Sequence, residues 1–124
     1  MSYNKSAVIL VEPDEAVRSA LTTLLKSRGF QVTALENGHD LAQLIESGAP
    51  LAIISESGLP DMTAVAVLDM SRSHRIPVIF LGHQQEVQNA VDLMRMGARD
   101  FLEKPFPQRR LLDLLDGLAL ENIA

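Results

Sequence analysis

Apolar residues along this chain fall into two alternating patterns. Near-continuous runs occur at AVILV (7–11), FQVTA (30–34), LAIIS (51–55), PVIFL (77–81) and the shorter DFL (100–102). Runs of this length, rich in Val, Ile and Leu, suit strands covered on both faces of a sheet. Between them apolar residues return with helical period: Val17, Leu21, Leu24 and Leu25, then Leu41, Leu44 and Ile45, then Val87, Val91 and Met94. Boundary residues agree with that alternation. Pro13 suits a first helical turn, Asn37 and Thr63 suit helix N-caps, and Gly29 and Gly97 suit C-terminal stops. In TAVAVLDM (63–70), Val65 and Val67 alternate with alanines as a strand would. A helix there lets the runs at 51–55 and 77–81 lie parallel through a right-handed crossover, so a helix is predicted. The outcome is an α/β domain, a doubly wound five-stranded parallel sheet with helices on both faces, whose ligands sit in the crevice at the C-terminal strand ends.

Composition narrows what such a domain does. A chain of 124 residues without a linker, repeat or low-complexity segment fits a single domain, 1–124. Lys plus Arg number 11 against 16 Asp plus Glu, and Arg109-Arg110 is the sole basic cluster, so no nucleic acid is expected to bind this domain by itself. The absence of cysteine excludes disulfides and thiolate metal sites, and His39, His74 and His83 lack zinc-ligand spacing. The apolar run near the N-terminus is too short for a signal peptide or a membrane span, so a soluble, cytoplasmic domain is expected.

The strand-end rule selects Glu12, Pro13, Asp14 and Glu15 after the first run, Glu56 after the third, Gly82 and His83 after the fourth, and Lys104-Pro105 after the fifth. Taken singly, each reads as a polar residue where a buried strand surfaces. Together they place several acids and one lysine where they could converge. Ser55 and Ser57 flank Glu56, but no nucleophile-elbow motif surrounds them, and His83 reads as a solvated loop residue. No glycine-rich phosphate loop follows the first strand, and Asp14 opposes an anion there, which argues against a flavin or dinucleotide.

From Val8 to about Leu120 the sequence resembles the receiver domain of bacterial response regulators. The segment PVIFLGHQQEVQNAVDLMRMGARDFLEKPF (77–106) carries the most specific likeness, to receivers related to nitrogen-fixation and nitrogen-regulation regulators. VEPDEAVRSAL (11–21) resembles the family's acidic opening, and GLPDM (58–62) its turn after the phosphorylated strand. The resemblance implies the flavodoxin-like, chemotaxis-receiver-like strand order 2-1-3-4-5. It also implies phosphoryl transfer from a kinase histidine to an aspartate, with Mg²⁺ held by neighbouring acids. A lysine would pair with the phosphoryl group and a Ser or Thr hydroxyl would sense it.

Residue by residue, the likeness is incomplete. The phospho-acceptor position falls on Glu56, four residues before Pro60, where the family has aspartate. The acidic pair falls on Glu12 and Pro13, followed by Asp14, so one carboxylate is replaced by a side chain with no ligating atom. The hydroxyl position falls on Gly82, while Lys104 and the aromatic switch position, Phe101, are retained, and the Lys-Pro bond is often cis in the family. Glutamate's extra methylene moves its oxygens roughly 1 Å out of line, a misplacement that can slow such a transfer about 100-fold. Its reach instead favours partial mimicry of a phosphoryl group, with Lys104 as partner. No cofactor is expected. Mg²⁺ would bind at most weakly, at Glu12 and Glu56, because of Pro13.

The resulting expectation is a degenerate receiver, not an enzyme, acting through protein contacts. Either Glu56 with Lys104 holds it near an active-like state, or the lost hydroxyl uncouples the site and leaves a fixed interaction module. In a third account Glu56 merely repels Glu12 and sits in solvent. Two alternatives outside these are a phosphorylation-competent receiver with an unusual acceptor and a purely structural dimerisation module. The last helix carries Leu111, Leu112, Leu114, Leu115, Leu118 and Leu120, more than one stripe needs, and Leu93 and Met96 fall off the Val87, Val91, Met94 face. The surface formed by the fourth and fifth helices is therefore a candidate contact area. The resemblance implies a homodimer through the fourth-helix, fifth-strand, fifth-helix surface and contacts with a sensor histidine kinase or an output domain, with no membrane involved.

Overall fold

The computed structural model describes residues 3–83 and 87–121. In chain order the elements are β1 (Tyr3–Val11), α1 (Glu15–Ser27), β2 (Gln31–Leu35), α2 (Leu41–Ser47), β3 (Ala49–Glu56), α3 (Ala64–Arg72), β4 (Val78–Gly82), α4 (Val87–Arg95), β5 (Asp100–Glu103) and α5 (Gln108–Glu121). The strands form one sheet in the order β2-β1-β3-β4-β5. Every neighbouring pair is parallel, with Val8 opposite Val32 and Ala52, Ile54 opposite Ile79, and Phe80 opposite Phe101.

The pleat sorts the apolar runs into two cores, because successive side chains point to opposite faces. Val8, Leu10, Ile54, Ile79, Leu81 and Leu102 pack with Leu21 and Leu25 of α1 and with Leu111, Leu115 and Leu118 of α5. Ile9, Val11, Ile53, Val78 and Phe80 pack instead with Leu41 and Ile45 of α2, Val67 and Leu68 of α3, and Leu93 of α4. Covering both faces is what lets strands be apolar throughout, and their parallel direction carries the C-terminal ends to a shared edge.

Helix boundaries follow local chemistry. Thr63 caps α3 as expected, its hydroxyl accepting from Ala66 N at 3.1 Å. The stretch 63–70 is thus helical, its alternating valines divided between the buried Val67 and the exposed Val65. Gly29 and Gly97 adopt positive φ, 91° and 110°, and each ends a helix with paired backbone bonds back into the last turn. Two expected caps differ. Pro13 lies before α1, whose cap is Asp14, with Oδ1 accepting from Val17 N at 3.1 Å. Asn37 closes a local turn onto His39 N, and α2 starts after Asp40, which makes no side-chain cap bond.

The face of α4 also differs from the periodicity. Leu93 is buried, whereas Val91 and Met94 are about two-fifths exposed, at 41% and 43%; the side chain of Val87 lies outside the described residues. A nine-residue amphipathic helix offers few apolar positions, and the stripe chosen is the one that Ala98 continues into the core. The leucines of α5 are mostly absorbed inward, leaving Leu120 exposed. Replacing Leu10, which has no exposed surface, by alanine is expected to lower the urea unfolding free energy by about 2–5 kcal/mol. Leu120→Ala, in the same titration, should stay within about 0.5 kcal/mol of the natural chain.

Candidate functional site

Three side chains meet at the C-terminal edge of the sheet. Glu12 follows β1 and extends its pairing with β2 by donating its backbone N–H to Leu35 O at 2.9 Å. Its Oε2 accepts from Asp14 N at 3.0 Å, folding the carboxylate back over the β1–α1 turn. Arg18, in α1, donates to the carbonyls of Glu12 at 2.8 Å and Pro13 at 3.2 Å, so the turn is held from both sides. Glu56 is the last residue of β3, with the next amide, Ser57 N, bonded to Leu81 O of β4. Lys104 follows β5, its amide bonded to Gly82 O at 2.7 Å and its peptide to Pro105 cis.

The Lys104 ammonium stands 2.6 Å from Glu12 Oε1, a hydrogen bond, and 2.5 Å from Glu56 Oε2. The second contact is off the hydrogen-bonding direction. Among the described residues, Glu56 Oε2 is buried without an aligned donor, so its attraction to Lys104 is one of charge. Side-chain exposure is 2% for Glu12, 8% for Glu56 and 14% for Lys104, which places the cluster in a medium where charge counts for far more than in water. Two carboxylates and one ammonium leave one uncompensated negative charge. Burial pulls the lysine toward its neutral form, but the bond to Glu12 and the contact with Glu56 outweigh it, and its pKa is raised above the ordinary 10.5.

The remaining sequence candidates divide. Asp14 is exposed and caps α1, so it stands apart from the ammonium, and His83 is exposed. Gly82 and Phe101 come together. A Cβ added at Gly82 would lie 2.4 Å from Phe101 Cζ and 2.8 Å from Ser57 Oγ. Ser57, which flanks Glu56 in the sequence, therefore brings a hydroxyl beside the position where the family carries one. Only its adjacency to the end of β3 could have flagged it. Arg18 had no signal beyond its place one turn into α1.

A doubly wound sheet with two acids and a Lys-Pro pair at its carboxyl edge defines a receiver architecture. The chain belongs to the response regulator receiver domain family, whose profile it matches over residues 8–116. It is 36% identical over 122 residues to the transcriptional regulatory protein GltR of Pseudomonas aeruginosa, covering 95% of this chain and 50% of GltR. It is 35% identical over 118 residues to the response regulator protein FleR of the same organism, covering 94% of this chain and 25% of FleR. Full-length FixJ from B. japonicum superimposes with a TM-score of 0.83 at 26% identity, over 95% of this chain and 59% of that one. The chain thus spans half or less of those two curated relatives.

Removing the ammonium leaves two buried carboxylates facing each other. Lys104→Met is expected to cost about 3–5 kcal/mol by urea titration, and Glu12→Gln with Glu56→Gln in the same chain should recover most of that loss. The pH dependence has a definite sign. The folded chain keeps its Lys104 proton to higher pH than the unfolded chain, so this contribution is complete below about 10.5 and declines as pH rises through the raised value. Thermal unfolding across the alkaline range should show that decline in the natural chain and a smaller one in Lys104→Met.

Proposed function

We propose that this receiver domain is degenerate, holding one conformation and acting through protein contacts without accepting a phosphoryl group. The observation that carries this reading is the position of the Lys104 ammonium, against both Glu12 and Glu56 in a closed, nearly solvent-free cluster. Its charge is already engaged at the place where a transferring phosphoryl group would need it. A phosphoryl group on Glu56 would replace the single charge of its carboxylate with nearly two, adding about one negative charge to a cluster that already has one in excess. Glu56 also carries its oxygens a methylene farther than the in-line geometry of aspartate.

The donor set does not fit a resident Mg²⁺. That ion takes six oxygens in near-ideal octahedral geometry, with carboxylates as its protein anchors. Here Pro13 supplies no side-chain oxygen, Asp14 is engaged at the helix cap, and both glutamates already face an ammonium. Among the described residues, no group of three or more His, Cys, Asp or Glu side chains is arranged to hold a metal. The lysine serves as the built-in cation.

Burial of Glu56 argues against the account in which it sits in solvent. A binding role without catalysis is part of this reading. Partners follow from the family: a sensor histidine kinase or an output domain, the latter in keeping with a transcriptional regulator such as GltR. A homodimer through α4, β5 and α5 would use the exposed Val91, Met94, Met96 and Leu120, but not Leu93, which is buried. No described helix is long and apolar enough to cross a membrane, and a cytoplasmic setting is part of this reading.

Intact-protein mass after incubation with Mg²⁺ and acetyl phosphate tests the reading. The natural chain is expected to gain nothing, while Pro13→Asp combined with Glu56→Asp gains one phosphoryl group. A base-labile phosphoryl group on the natural chain would overturn it in favour of a competent receiver with an unusual acceptor.

A further inference from the structure

We infer that Gly82 is the seat of the Phe101 ring, and that the seated ring fixes the β4–β5 end of the domain in one conformation whatever charge stands at position 56. The inference deepens the reading of the domain as fixed and rests on it. A Cβ on Gly82 would meet Phe101 Cζ at 2.4 Å, Cε1 at 3.1 Å and Ser57 Oγ at 2.8 Å. Separations below 3.0 Å are essentially never found for a real Cβ, so a side chain at 82 and this position of the ring exclude one another. Nothing in the backbone demands glycine here. Gly82 is the last residue of β4 and is not among the positive-φ glycines, so the requirement is one of space.

The ring is partly buried and packs against the core on a further side. Phe101 lies directly opposite Phe80 across the β4–β5 pair and packs on the core cluster that contains Val11, Leu93 and Ala98. Its own amide donates to Asp100 Oδ1 at 2.7 Å, and Asp100 faces Arg110 of α5 at 3.3 Å. An aromatic side chain has only two torsions, so leaving the seat means swinging the ring into solvent, with no replacement atoms to fill the gap at Gly82. The pleat adds a separation. Glu12, Glu56 and Lys104 continue the alternation of Leu10, Ile54 and Leu102 toward the α1 and α5 core, whereas Gly82 and Phe101 share the face of Phe80, in the other core. A change of charge at position 56 therefore has no side chain at position 82 through which to push the ring.

Protein grown with ring-¹³C phenylalanine tests this by aromatic NMR, with Phe101 assigned from Phe101→Leu and its exposure read from broadening by a soluble gadolinium chelate. One protected Phe101 signal is expected in the natural chain, unchanged in Glu56→Gln. In Gly82→Ala that signal should shift and lose protection. A Phe101 signal that moves with Glu56→Gln, or one that Gly82→Ala leaves in place, would overturn the seat. If Gly82→Ala does not fold, Gly82→Thr provides the second reading. The fall it causes in the urea midpoint should be much smaller in a Phe101→Ala background, and an equal fall in both backgrounds would contradict the clash. Phosphoryl uptake by the natural chain with Phe101 unmoved would defeat the proposed function and leave the seat standing.

Discussion

A single ammonium group holds two buried carboxylates whose residues lie 92 and 48 positions away from it in the chain. Neighbouring strands are about 4.8 Å apart, so a side chain leaving β5 must cross β4 to reach the ends of β3 and β1. The long stem of lysine supplies part of that reach, and the choice of glutamate at both acidic positions supplies the rest. Three strand ends are tied at one point, inside a medium that makes each charge dependent on the others. The surrounding sheet gives this point its exactness of position, since the register of β1, β3 and β5 sets where each backbone surfaces.

In the proposed reading the cluster changes what the receiver scaffold can do. In a site built for phosphoryl transfer, the lysine and metal together neutralise the charge on the transferring phosphoryl oxygens. Here the charge is supplied by the chain itself, since Glu56 reaches the ammonium without any added group. A carboxylate brings about half the charge of a phosphoryl group, so the pairing is at best a partial likeness of the modified state. On the opposite face of the pleat, Phe101 and Gly82 close against each other. The two arrangements lie on opposite faces of the pleat, and in the proposed reading each removes a degree of freedom that a switch would require.

Much of this was legible in the sequence. Five Val-, Ile- and Leu-rich runs separated by helical periodicity were enough for the doubly wound sheet, and the strand-end rule included Glu12, Glu56 and Lys104 among its candidates, with Asp14, Glu15 and His83 beside them. The 2-1-3-4-5 order came with the family resemblance instead, because spacing cannot say which parallel strands are neighbours. Short elements were harder. In α4 the periodicity of Val87, Val91 and Met94 competed with a stripe through Leu93, and packing against Ala98 decided it. Asp14 is a good acid by type and a helix cap by position, a difference fixed by where α1 begins. The contact between Gly82 and Phe101 crosses two strands, and no local pattern could show that the missing side chain is filled by a ring.

The central claim is that Lys104 already occupies the role of the incoming charge and its metal, leaving one conformational state. Amide ¹H–¹⁵N spectra of the natural chain, titrated with Mg²⁺ and then with beryllofluoride as a phosphoryl mimic, test it most directly. The expected result is that the amides around Glu12, Glu56, Gly82 and Lys104 keep their positions throughout both titrations. Saturable shifts spreading from Glu56 to Phe101 and α4 would contradict it, showing an open site and a working switch.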